Sequence, residues 1–314
     1  MTAIRLIAAD LDGTLLDPNG ELSPRTLDAL AAAHAAGVRI VLATARRYTG
    51  AQPFAQRIGV VSAVIVYDGG QTRAFPDGSI LDAHHLPAAR GQRVAELLYA
   101  QGLQPIAQRS DRESERLIVG PQPAHSAWAD AYLAATASEI EHVGLESLCA
   151  GRPDPLRVAA FGPLGRLKAA ARVIAADEAS EGISNGASLG IHLLPRGNYG
   201  TAELTVQPAG VSKGAALRQL ALRFDVPMAH FMAIGDGLND VPMLRVAGVG
   251  VAMSGAPKAL LRVADVVTPS NASDGAAQAI ERYVLNQAAE PLTDGRAAVA
   301  PGVSGSHWSG IDDA

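Results

Sequence analysis

The sequence is poor in the features that several classes of protein need. Its 314 residues include a single cysteine, Cys149, which excludes an internal disulfide and a cysteine-based zinc site. A net charge of −5 offers no basic surface for neutralising phosphates, so nucleic acid is not an expected partner. No run of about 18 apolar residues occurs, so no membrane span or membrane partner is expected. The apolar stretch at residues 4–9 is too short for a signal-peptide core, and we expect a cytoplasmic protein.

The apolar residues that are present are sufficient for a folded protein. Hydrophobic residues make up 48% of the chain and charged residues 18%, a balance that excludes general disorder. In residues 4–66, three short apolar runs alternate with two stretches of helical periodicity, and the same alternation returns between residues 202 and 286. This pattern predicts an α/β fold with a Rossmann-like parallel sheet and helices on both of its faces.

The middle of the chain lacks the regular alternation of strands and helices. Helical stretches and isolated strand candidates occupy residues 83–199, between two turn-rich segments. We therefore expect a core formed by residues 1–82 and 200–286, and an α+β domain inserted at 83–199. Residues 202–206 are expected to be the first strand of the second core segment. Residues 287–314 lose all periodicity, which predicts a disordered tail.

Polar residues follow the predicted strands at the point where each strand ends. Asp10 and Asp12 come after the first strand, Thr44 after the second, and 235–240 (Gly-Asp-Gly-Leu-Asn-Asp) after the strand at 230–234. Because the carboxyl ends of parallel strands share one edge of the sheet, these residues should converge in one crevice. Lys213, at the start of a predicted helix, should join them.

The predicted crevice contains four carboxylates, which repel one another unless a cation lies among them. Mg²⁺ is the natural candidate, because it binds through a few carboxylates, water and phosphate oxygens. Lys213 and the Thr44 hydroxyl are suited to a phosphoryl group. Each motif taken alone also fits an ordinary turn, helix cap or solvated side chain, and it is their combination that favours a functional site.

Four motifs together resemble the haloacid dehalogenase superfamily, specifically its Cof-type phosphatases with a large inserted cap. They are Asp-Leu-Asp-Gly-Thr-Leu at 10–15, Ala-Thr-Ala-Arg at 43–46, Gly-Val-Ser-Lys-Gly at 210–214 and the 235–240 motif, and the likeness extends over about residues 4–286. The resemblance implies that the inserted domain is the cap, and that the protein is a phosphatase acting on small phosphomonoesters. Sugar phosphates are the substrates expected from this type of cap.

The resemblance also implies roles for individual residues. Asp10 would attack phosphorus and form an aspartyl-phosphate, and Asp12 would act as the general acid and then the general base. Thr44, the backbone N–H of Ala45 and Lys213 would hold the phosphoryl oxygens.

The same resemblance implies a Mg²⁺ site. Its ligands would be Asp10, the backbone carbonyl of Asp12, Asp236 and, through water, Asp240, with Asn239 as a neighbouring hydrogen-bond partner in the phosphate site. Ala45, Asp68 and Gly255 depart from the residues common in the family, which are glycine, asparagine and asparagine. Asp68 adds a carboxylate near the site.

Other functions remain open at this stage. A phosphotransferase or phosphomutase of the same superfamily would use the same aspartyl-phosphate, whereas Asp12 argues against a dehalogenase. The Gly-Val-Gly at 248–250 suggests an alternative, a non-enzymatic nucleotide-binding protein. However, the motif is incomplete and lies late in the sheet, which favours a structural turn. Arg109, Arg112, Arg116 and Arg152 are candidates for substrate contacts in the cap, but surface solvation explains most such arginines.

Overall fold

A computed structural model describes residues 3–123, 125–136, 139–181, 188–196 and 201–286 of the chain. The predicted tail at 287–314 lies outside these residues, as does most of residues 195–200, the turn-rich segment that ends the predicted insertion. Among the helices in the described ranges, none is both long enough and apolar enough to cross a lipid bilayer.

The larger of two sheets is mostly parallel and has helices on both faces. Its strands within the described residues are β1 (Leu6–Ala9), β2 (Arg39–Ala43), β3 (Val61–Val66), β4 (Gln71–Ala74), β5 (Ile80–Ala83), β12 (Phe231–Gly235), β13 (Val249–Met253) and β14 (Val266–Thr268). They lie in the order β14-β13-β12-β1-β2-β3-β4-β5. All neighbours are parallel except β4 and β5, an antiparallel extension that the apolar periodicity did not predict.

Within the described ranges, six helices cover this sheet, three on each face. One face holds α1 (Pro24–Ala35), α2 (Tyr48–Ile58) and α9 (Gly275–Ile280), and the other holds α6 (Lys213–Phe224), α7 (Val241–Val246) and α8 (Lys258–Leu261). The central strands are buried on both sides, which explains why β1 to β3 are continuous apolar runs rather than alternating ones.

Helix starts follow local capping chemistry. The Ser23 side chain accepts a hydrogen bond from the backbone N–H of Thr26, and Pro24 occupies the first turn of α1, where its missing N–H costs nothing. The Ser212 side chain accepts in the same way from Ala215 at the start of α6, which places Lys213 in the first turn of that helix.

The second sheet is antiparallel except at one edge. Its strands within the described residues are β6 (Ile106–Ser110), β7 (Glu115–Val119), β8 (Glu139–His142), β9 (Arg157–Gly162), β10 (Leu189–Arg196) and β11 (Thr201–Pro208), in the order β10-β11-β9-β6-β7-β8. Helices α3 (Ala88–Ala100) and α5 (Leu164–Glu181) cover one face, and α4 (Ala127–Ala134) covers part of the other. The prediction of an α/β core with an inserted α+β cap is confirmed.

The strand predicted at 202–206 lies in a different sheet from the one expected. It is part of β11, which pairs with β9 and β10 in the cap and not with any strand of the core. The assignment of this strand to the core was therefore wrong, because a buried apolar run fits either sheet. The last core strand before the cap, β5, ends at Ala83, and the backbone N–H of Ala209 donates to the carbonyl of Ser188 in the cap. We therefore propose that the cap spans residues 84–209.

Candidate active site

Three neighbouring strands of the core sheet end at one crevice. Asp10 follows β1, Thr44 follows β2, and Asp236 follows β12. Strands β2 and β12 pair in parallel with β1, one on each side of it. Shared direction brings residues more than 220 positions apart to the same edge. The hydroxyl of Thr14, four residues after Asp10, donates to Oδ1 of Asp236 at 3.1 Å.

The turn after β1 depends on a glycine. Gly13 has φ of 78°, in the left-handed region, and a Cβ built at this position would collide with the carboxylate of Asp236. Both the backbone conformation and the close approach of Asp236 therefore require glycine.

Lys213 is the positive charge at the centre of the site. It is fully buried, and its Nζ donates to Oδ1 of Asp10 at 2.9 Å and to Oδ1 of Asp240 at 2.6 Å. Burial alone lowers the pKa of Lys213, but the carboxylates of Asp10 and Asp240 outweigh it and raise the pKa above its ordinary value. The lysine is therefore held as an ammonium beside the predicted nucleophile.

Asp10, Asp236 and Asp240 form a compact group of carboxylates. One ligand oxygen from each lies within 4.8 Å of the others. Burial raises the pKa of Asp10 well above its usual range, the Asp240 and Asp236 carboxylates add to this, and Lys213 opposes it. Burial and Asp240 likewise raise the pKa of Asp236 to about 6. One buried lysine does not balance three carboxylates, so the donor set fits a hard divalent cation.

The two oxygens of Asp240 both have protein donors. Oδ1 accepts from Lys213, and Oδ2 accepts from the backbone N–H groups of Asp236 and Gly237, each at 2.9 Å. Asp240 therefore shapes the loop after β12 and positions Lys213. Its predicted role as a water-mediated metal ligand stays a prediction.

Asp12 is held by an arginine of the second motif. Arg46 donates from Nε and Nη2 to the two carboxylate oxygens of Asp12, at 2.7 and 2.6 Å. The guanidinium of Arg46 also lies 4.8 Å from the ring centre of Phe54. This paired arrangement fixes the position of the Asp12 carboxylate.

The predicted phosphate-binding residues lie directly after β2. Thr44 is fully buried, and its hydroxyl oxygen accepts from the backbone N–H of Arg46 at 3.2 Å. The carbonyl of Ala45 accepts from Nη2 of Arg157, a cap residue, at 3.3 Å. The loop that holds Thr44 and Ala45 is therefore in direct contact with the cap.

Asn239 connects the loop after β12 to a further carboxylate. Its side-chain amide donates to Oδ1 of Asp68 at 2.8 Å. Asp68 follows β3, has φ of 56° and is buried, and its Oδ2 lies 3.8 Å from Nη1 of Arg157. The departure from asparagine at position 68 thus coincides with a buried arginine opposite it.

The sequence did not single out Arg157. The arginines proposed as candidates included Arg116 and Arg152, which form exposed ion pairs with Glu139 and Glu141. Arg157 is instead almost fully buried at the start of β9. A signal was present, because this arginine interrupts the otherwise apolar run at 156–161.

Comparisons with known proteins agree with this geometry. The family model of the haloacid dehalogenase-like hydrolases matches residues 7–114 and 197–280. Pyridoxal phosphate phosphatase YbhA of Escherichia coli is 26% identical over 294 residues, which cover 90% of this chain and 99% of that protein. A 5-amino-6-(5-phospho-D-ribitylamino)uracil phosphatase of Bacillus subtilis, YcsE, is 25% identical over 282 residues, covering 90% and 96%.

Solved structures share the whole fold. A sugar phosphatase of HAD subclass IIB superposes with a TM-score of 0.72 at 22% identity, covering 89% of this chain and 98% of the other. The likeness therefore includes the cap as well as the sheet that holds the four motifs.

Proposed function

The chain belongs to the haloacid dehalogenase-like hydrolases and is a phosphatase of that family, and we propose that it is a Mg²⁺-dependent enzyme that hydrolyses sugar phosphates through a phosphorylated Asp10. The observation that supports this most directly is the position of Asp10. Its buried carboxylate contacts the Lys213 ammonium at 2.9 Å and lies in the same cluster of carboxylates as Asp236.

In the first step, an Asp10 oxygen attacks phosphorus, and the bond from phosphorus to the leaving oxygen breaks. The leaving oxygen takes a proton from Asp12. In the second step, Asp12 accepts a proton from water, the water oxygen attacks phosphorus, and the bond to Asp10 breaks. Phosphate leaves, and both carboxyl groups return to their starting protonation states.

The pairing of Asp12 with Arg46 adds a requirement to this cycle. Both oxygens of Asp12 accept hydrogen bonds from Arg46, and an accepting carboxylate is what the second step needs. The first step needs a proton on Asp12, so the ion pair has to open or loosen when a substrate binds.

The charge that develops on the transferring group is met by fixed donors. Lys213 and the Thr44 hydroxyl would bind phosphoryl oxygens, and the Ala45 backbone N–H lies in the same loop. Asp10, Asp236 and the backbone carbonyl of Asp12 would hold Mg²⁺. When bound, the ion supplies positive charge that offsets the phosphoryl oxygens and the buried carboxylates.

The substrate class follows from similarity and from the cap. The named relatives act on small phosphorylated molecules, and one structural neighbour is a sugar phosphatase. A polar cap residue, Arg157, contacts the loop that follows Thr44, which suits a leaving group with hydroxyls.

The test is phosphate release from a panel of sugar phosphates, nucleotides and p-nitrophenyl phosphate, with Mg²⁺ or with EDTA. We expect release that needs Mg²⁺ and that disappears in Asp10→Asn, with Asp28→Asn on α1 as a matched control. Release that survives in Asp10→Asn would exclude Asp10 as the nucleophile, and release unaffected by EDTA would exclude the metal requirement.

A further inference from the structure

One face of the cap sheet has a polar strip next to the catalytic loops. Side chains alternate along the strands, so Val158 and Val206 pack against α3 and α5, whereas their neighbours point to the opposite face. On that opposite face, α4 packs on the apolar end formed by residues such as Phe161, and its Tyr132 hydroxyl accepts a hydrogen bond from Gln108. The remaining residues define the polar strip: Gln108, Arg157, His192, Glu203, Thr205 and Gln207.

Arg157 joins the polar strip to the core. It donates from Nη2 to the carbonyl of Ala45 at 3.3 Å, and its guanidinium lies 5.1 Å from the ring centre of Tyr67. Its Nε donates to Gln108 at 2.8 Å, which fixes the plane of the guanidinium. A residue of the cap therefore reaches the loop that follows Thr44.

Asp68 faces Arg157 from the core side. Its Oδ1 accepts from Asn239, whereas its Oδ2 lies 3.8 Å from Nη1 of Arg157, too far for a hydrogen bond. In the described part of the chain, neither Oδ2 of Asp68 nor Nη1 of Arg157 has a hydrogen-bond partner, although both are buried. Buried polar atoms without partners are costly, and here a donor and an acceptor face each other across one gap.

Two further buried oxygens lie on the same face. Thr205 pairs with Ala159 across the sheet, and the same register places Gln207 opposite Arg157. Within the described residues, Oγ1 of Thr205 and Oε1 of Gln207 also lack hydrogen-bond partners. Each can bind a hydroxyl, since a hydroxyl both donates and accepts.

The charge at this face argues against an anionic ligand. The Arg157 guanidinium already lies 3.8 Å from Asp68 and 3.5 Å from Glu203. Burial lowers the pKa of His192, so this imidazole adds no positive charge at neutral pH. Among the described residues of this face, the charge of Arg157 is already met by two carboxylates, which disfavours a second phosphate or a carboxylate on the substrate.

We propose that Asp68 and Arg157, together with Thr205 and Gln207, bind hydroxyl groups of an uncharged, polyhydroxylated leaving group. A single hydroxyl can donate to Oδ2 of Asp68 and accept from Nη1 of Arg157, which gives both orphaned atoms a partner. The inference rests on the proposed phosphatase function, and it selects neutral sugar or alditol monophosphates over substrates with a second anionic group.

The first experiment uses the wild-type protein with Mg²⁺ and compares kcat/KM across substrates. The panel contains glucose 6-phosphate, ribose 5-phosphate, glucitol 6-phosphate, phosphoglycolate and p-nitrophenyl phosphate. The neutral polyol phosphates are expected to exceed phosphoglycolate by at least tenfold. Monodeoxy analogues of the best substrate then identify the hydroxyl whose removal lowers kcat/KM by about 10- to 100-fold, the range for a buried hydrogen bond to charged groups.

The second experiment asks whether that hydroxyl meets Asp68 and Arg157. In Asp68→Asn and Arg157→Lys, the penalty for the deoxy substrate should shrink, because the interaction is already lost. Arg116→Lys, an exposed arginine of the same sheet, is the matched control and should keep the full penalty. Both test substitutions are conservative, and circular dichroism checks that the variants fold.

The outcomes separate the two hypotheses. If no substrate releases phosphate, the proposed function fails. If p-nitrophenyl phosphate and sugar phosphates are hydrolysed but the deoxy penalty is equal in wild type, Asp68→Asn and Arg157→Lys, the subsite assignment is overturned while the phosphatase stands. A preference for phosphoglycolate would also overturn the assignment.

Discussion

Glu115, on cap strand β7, accepts a hydrogen bond from the hydroxyl of Tyr67, which follows core strand β3, at 2.7 Å. The same carboxylate accepts from the backbone N–H groups of Tyr48 and Thr49, each at 2.8 Å, and from the Thr49 hydroxyl. These N–H groups belong to the first turn of α2, where helix donors lack intrahelical partners. A cap residue therefore completes the N-terminus of a core helix.

This contact should be important for stability. Glu115→Ala leaves a buried tyrosine hydroxyl and two helix N–H groups without partners, so we expect the free energy of unfolding to fall by about 3 kcal/mol. Urea denaturation measures the change. Glu113→Ala, an exposed residue in the adjoining turn, is the control and should change stability by less than about 0.5 kcal/mol. Equal stability of Glu115→Ala and wild type would mean that the cap contact is not formed in solution.

Lys213 should be essential for both charge balance and turnover. Lys213→Met removes the ammonium from between Asp10 and Asp240, and we expect kcat to fall at least about 100-fold. Because two buried carboxylates lose their partner, unfolding free energy should also fall, by about 3–5 kcal/mol. The exposed Lys258 provides a control substitution to methionine. Turnover within a few fold of wild type in Lys213→Met would contradict the assigned role.

The role of Asp12 can be tested through the leaving group. Asp12→Asn keeps the shape of the side chain but cannot donate and recover a carboxyl proton. Hydrolysis of alkyl phosphates should slow by about 10²- to 10⁴-fold. p-Nitrophenolate is a better leaving group than an alkoxide and needs less protonation in the first step. In Asp12→Asn, the pre-steady-state burst of p-nitrophenol should therefore slow much less than the first step with alkyl phosphates. Equal slowing of the first step with alkyl phosphates and with p-nitrophenyl phosphate would argue against general-acid action.

Proton and metal binding should compete at Asp236. Its pKa is about 6 in the metal-free fold, against 3.8 as the ordinary value, because burial and Asp240 disfavour the charge. The folded chain therefore binds this proton more tightly than the unfolded chain does. The resulting stabilisation is fully present below pH 3.8 and is lost as the pH rises through about 6.

Mg²⁺ needs the ionised carboxylates, so its effect should follow the opposite trend. The rise in Tm on adding Mg²⁺ should be small near about pH 5 and larger near about pH 7.5. Differential scanning fluorimetry with Mg²⁺ and with EDTA measures this, and Asp236→Asn should reduce the rise at both pH values. A Mg²⁺ effect that is independent of pH, or unchanged in Asp236→Asn, would exclude Asp236 as a ligand.

The core sheet, and the edge at which Asp10, Thr44 and Asp236 lie, were largely predictable. Asp10, Thr44 and Asp236 each follow a short apolar run, and parallel strands place their carboxyl ends at a single edge whatever their separation along the chain. The antiparallel strands β4 and β5 were missed, because β4 contains Arg73 and Gln71 and lacks an apolar period. Both residues are buried, and Arg73 donates to Ser110 of the cap, so their polarity reflects a contact with the other domain.

The sequence by itself determined the α/β architecture, the presence of an inserted domain and the order of four motifs, because strand periodicity and turn chemistry are local properties. Only the tertiary structure decided that β11 belongs to the cap, that Glu115 caps α2 and that Arg157 faces Asp68. These relationships join residues from 40 to 89 positions apart, through antiparallel pairing and contacts between two domains. Local pattern does not specify such partners, because a buried charge is compatible with any neighbour that can balance it.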